Sequence, residues 1–131
     1  MLGMEGDLLK GHLDAIVLAA LAGEAAHGYA VIEAIRRRSG GVFNLPEGTV
    51  YPALHRLEKA GAVNSDWTTA PSGRRRRVYT LTPQGRAALD RHRDVWRAFA
   101  EAVERVMADA GDGGGNGGGV ADQPPPAAGA P

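Results

Sequence analysis

The 131-residue chain contains no cysteine, which excludes a disulfide framework, a thiolate metal site and a thiol nucleophile. It is also poor in aromatics, with two Trp, three Tyr and two Phe, so a single modest core is marginal for a lone monomer. It has no long hydrophobic run. The longest, Ala15 to Ala22, is far short of the ~20 residues that span a bilayer. Glu5, Asp7 and Lys10 interrupt any secretory pattern at the start, so a soluble, cytoplasmic protein is expected, with no membrane partner. Net charge is absent as well, yet the average hides an asymmetry. From Arg36 to Arg97 there are thirteen Lys and Arg against five acids, a local excess of +8. Phosphate neutralisation is local, so this distribution matters more than the total.

What is present is concentrated in Leu45 to Val63, LPEGTVYPALHRLEKAGAV. Wound as a helix, it gathers Val50, Ala53, Leu54, Leu57 and Gly61 on one face and Pro52, His55, Arg56 and Lys59 on the other, flanked by Thr49 and Tyr51. Pro46 suits the first helical position, and Pro52 predicts a late start or a slight kink. Leu8 to Ala22 predicts an earlier helix, apolar over most of its circumference and therefore buried on two sides. Tyr29 to Arg38 predicts another, with Tyr29, Ile32 and Ile35 inward. Arg36 to Arg38 there either complement the helix dipole or reach a DNA backbone.

After Gly61, Val63 to Ala70 reads as a strand, Pro71-Ser72-Gly73 as a turn, and Arg74 to Leu81 as the return strand. Alternation separates Arg74 and Arg76 from Arg75 and Arg77, and places Tyr79 and Leu81 in phase with Arg77 as core anchors. Thr82-Pro83 opens a last helix, Pro83 to about Ala110. Its narrow stripe of Leu89, His92, Trp96, Phe99, Val103, Val106 and Ala110 calls for a partner helix, most simply from a second copy of the chain. Residues 111–131, rich in Gly, Ala and Pro, predict a disordered tail. Its glycines do not form a phosphate loop, because no strand precedes them.

The fold class is therefore mainly α with a small β-hairpin wing: a winged helix-turn-helix over residues 1–82, a dimerisation helix over 83–110 and a tail over 111–131. Thr49, Tyr51 and His55 fit base reading in a major groove, Pro52 fits contact with a thymine methyl, and Arg56 and Lys59 fit phosphates. Arg74, Arg75 and Arg76 at the wing tip fit phosphates or a narrow minor groove. Packing against the neighbouring helix is the competing role for Tyr51, and plain exposure the competing role for His55. Leu9, Leu13, Leu89, His92, Trp96, Phe99, Val103 and Val106 are the dimerisation candidates. Trp96 and Phe99 either fill that interface or sandwich a flat aromatic effector. No cofactor is expected. His12, His27, His55 and His92 lack metal-site spacing. No nucleophile–base arrangement or pair of carboxylates suggests an enzyme. A winged-helix module docking protein rather than DNA is the alternative, although it has no need of an arginine run.

Three stretches together resemble the PadR-type transcriptional regulators: HGY at His27 to Tyr29, GTVYPALHRLEKAGAV at Gly48 to Val63, and GRRRRVYTLTPQGRAAL at Gly73 to Leu89. The resemblance extends over about residues 8–108. It implies a homodimeric winged helix-turn-helix protein, usually a repressor released by a small molecule, with a pseudo-palindromic double-stranded DNA operator. It also implies Thr49, Tyr51, Pro52, His55 and Arg56 of the third helix and Arg74 to Arg76 of the wing at the DNA. The single C-terminal helix is similar to the shorter of the family's two arrangements. The tail lies outside the resemblance.

Overall fold

A computed structural model describes residues 9 and 11–111 of the chain. The expected disordered tail lies almost wholly outside these residues. The described part runs α1 (Leu13–Leu21), β1 (Ala26–His27), α2 (Gly28–Arg38), α3 (Glu47–Lys59), β2 (Val63–Thr69), β3 (Arg75–Leu81) and α4 (Pro83–Gly111). The chain divides into two compact units after Asp90, later than the expected boundary at residue 82. The reason is local: the first turns of α4 complete the core of the winged unit, where Leu89 is buried.

The first helix is shorter than its apolar pattern. Leu9 is helical, but a turn at Gly11 and His12 separates it from α1, and the His12 N–H donates to the Leu9 carbonyl at 2.8 Å. Val17, Leu18, Ala20 and Leu21 are buried, while Leu13, Ala15, Ile16 and Ala19 are half-buried against the same core. Leu9 is part of that core too. Leu9 and Leu89, expected on a dimer surface, are thus filled in by the chain itself. A heptad pattern cannot tell a helix's own core from a partner, and here tertiary packing claims Leu89, the first residue of the α4 stripe.

In α2, Val31, Ile32, Ala34 and Ile35 face the core, but Tyr29 is 55 % exposed, contrary to its expected inward position. The helix begins a residue early, at Gly28, and its buried stripe runs Gly28, Val31, Ile32 and Ile35, so Tyr29, ~100° around the helix from Gly28, lies off it. Two of the three C-terminal arginines have partners within the fold. Arg36 pairs with Glu33 at 2.9 Å, and Arg38 donates to the Ala19 carbonyl at 3.1 Å, near the end of α1. Gly40 and Gly41 then turn the chain with positive φ of 66° and 86°.

The third helix buries Val50, Ala53, Leu54 and Leu57, as its periodicity predicts. Pro46 is its N-cap rather than its first turn, and its carbonyl accepts from the Thr49 and Val50 N–H groups. The helix then runs through Pro52 without the expected late start. Pro52 is on the exposed face, where solvent can take up the carbonyl that its missing N–H leaves free.

The hairpin pairs β2 with β3 in the register Val63–Leu81, Ser65–Tyr79, Trp67–Arg77 and Thr69–Arg75. The two-residue β1 was not expected. It pairs Ala26 with Tyr79 and His27 with Val78, giving a sheet in the order β1-β3-β2. A pair of residues is too short to leave a periodic signal. Tyr79 is 2 % exposed and anchors β3 to the core, as its phase predicts.

The joint between wing and last helix is a tight corner. The Thr82 hydroxyl accepts from the Gly85 N–H at 3.0 Å and donates to the Gly61 carbonyl at 2.7 Å. Gly85 is packed against the Ala62 carbonyl, leaving no room for a side chain. In the second unit, α4 continues from Arg91 to Gly111 and exposes Val95, Trp96, Phe99, Val106 and Met107, with Val103 half-buried. Trp96 and Phe99 lie side by side there, ring centroids 6.0 Å apart and tilted by 38°.

Candidate nucleic-acid interface

The outer face of α3 carries Pro52, His55, Arg56 and Lys59, all exposed, with Thr49 half-buried at its start. Arg56 has a partner within the fold: its guanidinium pairs with Asp14 of α1 at 2.7 Å, both side chains about half exposed. An exposed pair of this kind is worth at most ~1 kcal/mol, so a phosphate can compete for the arginine.

Tyr51 is half-buried and lies against α2, where its ring covers Gly28 so closely that a Cβ at that position would overlap it. Both roles open to Tyr51 in the sequence meet in this geometry, since the ring packs on a neighbouring helix while its edge lines a surface pocket. Burial, followed by the nearby Glu47 carboxylate, pushes its phenol above the usual tyrosine range and keeps it a neutral donor. His27 is the N-cap of α2 through Nδ1, which accepts from the Ala30 N–H at 3.4 Å. Its imidazole is held below the usual histidine range by burial and then by the Arg76 charge, which keeps Nδ1 free to accept.

The wing arginines divide as alternation predicts, but their roles differ. Arg75 and Arg77 both reach Trp67, with guanidinium carbons 4.7 Å and 5.1 Å from the ring centroid. Arg77 is held further: its Nε donates to the Ser65 hydroxyl at 2.9 Å, which donates to a Glu58 carboxylate oxygen at 2.7 Å. Glu58 belongs to α3, so this chain of bonds ties the wing to the third helix. Arg74, Arg75 and Arg76 are exposed and make no ion pair among the described residues.

Tyr51 and the four wing arginines come together around one open pocket of about 390 Å³, with His27, Gly28, Tyr29, Trp67 and Tyr79. Thr49, Pro52, His55, Arg56 and Lys59 do not line it. Sequence reasoning missed His27, Tyr29 and Trp67 as neighbours of the wing. The hairpin register counted back from Pro71-Ser72-Gly73 would have set Trp67 opposite Arg77, whereas β1 left no signal. Among the described residues there is no cluster of His and acidic side chains able to hold a metal ion, and no helix is long and apolar enough to cross a membrane.

Three helices, a three-stranded antiparallel sheet with an arginine-tipped hairpin, and a basic face on the third helix define a winged helix-turn-helix protein. Residues 17–91 match the Transcriptional regulator PadR-like family, and the chain belongs to that family of transcriptional regulators, which are not enzymes. It is 45% identical over 65 residues to Transcriptional regulator Rv3488 of Mycobacterium tuberculosis, a match covering 50% of this chain and 57% of that protein. It is 28% identical over 104 residues to Uncharacterized protein X of Lysinibacillus sphaericus, covering 79% and 95%. A transcriptional regulator from Clostridium thermocellum superposes with a TM-score of 0.69 at 27% identity, over 76% of this chain and 97% of that one. Bacillus subtilis PadR, solved in complex with operator DNA, shares the fold at a TM-score of 0.55 and 23% identity, over 60% of this chain and 44% of that one.

Proposed function

We propose that the chain is a homodimeric, sequence-specific DNA-binding regulator acting in the cytoplasm as a repressor, with α3 in the major groove and the wing on the flanking backbone. The observation that carries this reading is the pairing of an exposed polar face on α3 with three exposed wing arginines that have no acidic partner among the described residues. A fold shared with a protein solved on operator DNA supports it. Thr49, Tyr51, Pro52 and His55 meet bases, while Arg56, Lys59, Arg74, Arg75 and Arg76 meet phosphates. Arg56 leaves Asp14 to do so.

Self-association uses the exposed stripe of α4, where Trp96 and Phe99 are 47% and 41% exposed. Such a stripe on one helix favours burial against its equivalent in a second copy. His92, Val103 and Val106 lie on the same seam, and Leu13 of α1 is a separate candidate for self-association. A flat aromatic effector inserting between paired Trp96 and Phe99 rings would shift the spacing of the two wings and release DNA.

The test is binding to DNA from just upstream of the protein's own gene, with random DNA as competitor. If each subunit makes ~3–5 phosphate contacts, log affinity falls with log salt at a slope on the order of −5 to −9. Replacing Arg74, Arg75 and Arg76 by alanine weakens binding to all sequences and flattens that slope. Unchanged affinity and slope would remove the wing from the interface. No binding even at low salt would favour a winged-helix module that docks a protein partner.

A further inference from the structure

The pocket under the wing has features that DNA docking alone does not require. It opens where β1 stops. That strand pairs with Val78 and Tyr79, so among the described residues the β3 edge along Arg75 to Arg77 has no strand partner on that side, and α2 starts beside it at Gly28. The HGY stretch builds this corner. His27 caps α2, Gly28 admits the Tyr51 ring, and Tyr29 is left 55% exposed at the rim. Among the described residues, four guanidiniums line the pocket and no carboxylate does. Two of them are set in place beforehand by Trp67, and one of those also by Ser65. Glu58, the nearest acid to this group by bonding, is reached only through the Ser65 hydroxyl.

Each feature narrows the ligand. Four clustered cations, two of them fixed and none ion-paired among the described residues, select a group with more than one negative charge, since a single carboxylate would leave most of them uncompensated. An exposed tyrosine ring beside them offers a stacking surface to a planar ring of any identity. A volume of about 390 Å³ falls in the range of small-molecule sites. We propose that this pocket binds a nucleoside polyphosphate, its base on Tyr29 and its phosphates on Arg74 to Arg77, and that an occupied pocket excludes DNA. The exclusion rests on the DNA reading above, because Tyr51 and the wing arginines serve both ligands. The pocket's occupancy does not rest on it. The site is distinct from Trp96 and Phe99, which belong to the other unit.

Equilibrium dialysis of the full chain with ADP at physiological salt tests the pocket, with adenosine and inorganic pyrophosphate as the two halves of the ligand. ADP should bind saturably, one per chain, with both halves weaker. Tyr29→Ala should weaken ADP about tenfold or more through the lost stacking and leave pyrophosphate unchanged. The site is overturned if ADP does not saturate by about 1 mM, which corresponds to only ~4 kcal/mol of binding. It is also overturned if Tyr29→Ala weakens ADP and pyrophosphate equally, which is generic anion affinity. For exclusion, ADP should release the upstream DNA fragment from the wild type at concentrations where Tyr29→Ala retains it. Saturable ADP binding with DNA fully retained would overturn the exclusion alone. Failure of the protein to bind the fragment at all would overturn the exclusion together with the DNA reading, while the dialysis result stands by itself.

Discussion

Two glycines within helices, Gly48 in α3 and Gly85 in α4, should respond in opposite directions to the same substitution. From the sequence alone, alanine at either site is a gain, because glycine loses more backbone freedom on folding and costs ~0.5–1 kcal/mol relative to alanine inside a helix. At Gly48 the structure leaves this intact, since a Cβ there meets nothing within 4 Å. At Gly85 a Cβ would be driven into the Ala62 carbonyl and would lie 2.9 Å from Leu81 Cδ1. A backbone carbonyl cannot swing aside, least of all one that already accepts from the Thr82 N–H at 3.1 Å. Overpacking of this kind costs ~1–3 kcal/mol, and the absence of any give puts Gly85→Ala at the upper end. After the propensity gain, a net loss of about 2 kcal/mol remains. For a unit of this size each kcal/mol moves the melting temperature by roughly 4–8 °C, so Gly85→Ala should melt about 8–16 °C lower. Gly48→Ala should melt up to a few degrees higher, the smaller effect reflecting its place in the first turn. Thermal unfolding followed by circular dichroism at one fixed protein concentration decides the matter, because self-association would make the midpoint concentration-dependent. A Gly85→Ala midpoint at or above the wild type would refute the packing argument at the corner.

Three further outcomes are expected. Because His27 is held below its usual range, the unfolded chain takes up a proton at that site first as pH falls. Stability is fully present above about pH 6.5 and declines as pH drops from there through the folded value. His27→Asn, which can still cap, should lose this part of the pH dependence in urea titrations, and an identical profile would discard the assignment. Ser65→Ala breaks the link from Arg77 to Glu58 and should cost ~1–3 kcal/mol in urea unfolding, the range for half-buried hydrogen bonds to charged groups; no change would mean that water replaces the hydroxyl. Replacing Trp96 and Phe99 together by alanine should weaken self-association at least tenfold in sedimentation equilibrium. An unaltered dimer would place the seam elsewhere.

Much of the architecture follows from local rules visible in the chain. The inward face of α3, the two hairpin strands, the Thr82-Pro83 helix start and the burial of Tyr79 all follow from periodicity, turn residues and strand phase. So does the division of the wing arginines, because β3 can present only alternate side chains to one face. Position in space is a different matter. Nothing local distinguishes Leu89 from Trp96 and Phe99 on the α4 stripe; the fold buries Leu89, and Leu9 ahead of α1, in the core of the winged unit. Tyr29 is exposed because the buried stripe of α2 runs through Gly28, over which the Tyr51 ring packs, a contact that no local pattern shows. Contacts between residues far apart in sequence are likewise tertiary: Asp14 with Arg56, Ser65 with Arg77, and the Tyr51 ring on Gly28. They depend on which elements become neighbours, and that is set by burying the shared core. The sequence by itself determined the helices, the hairpin and the basic character of one face. The tertiary structure alone decided which arginines are held, which tyrosines are open, and that they meet around one pocket.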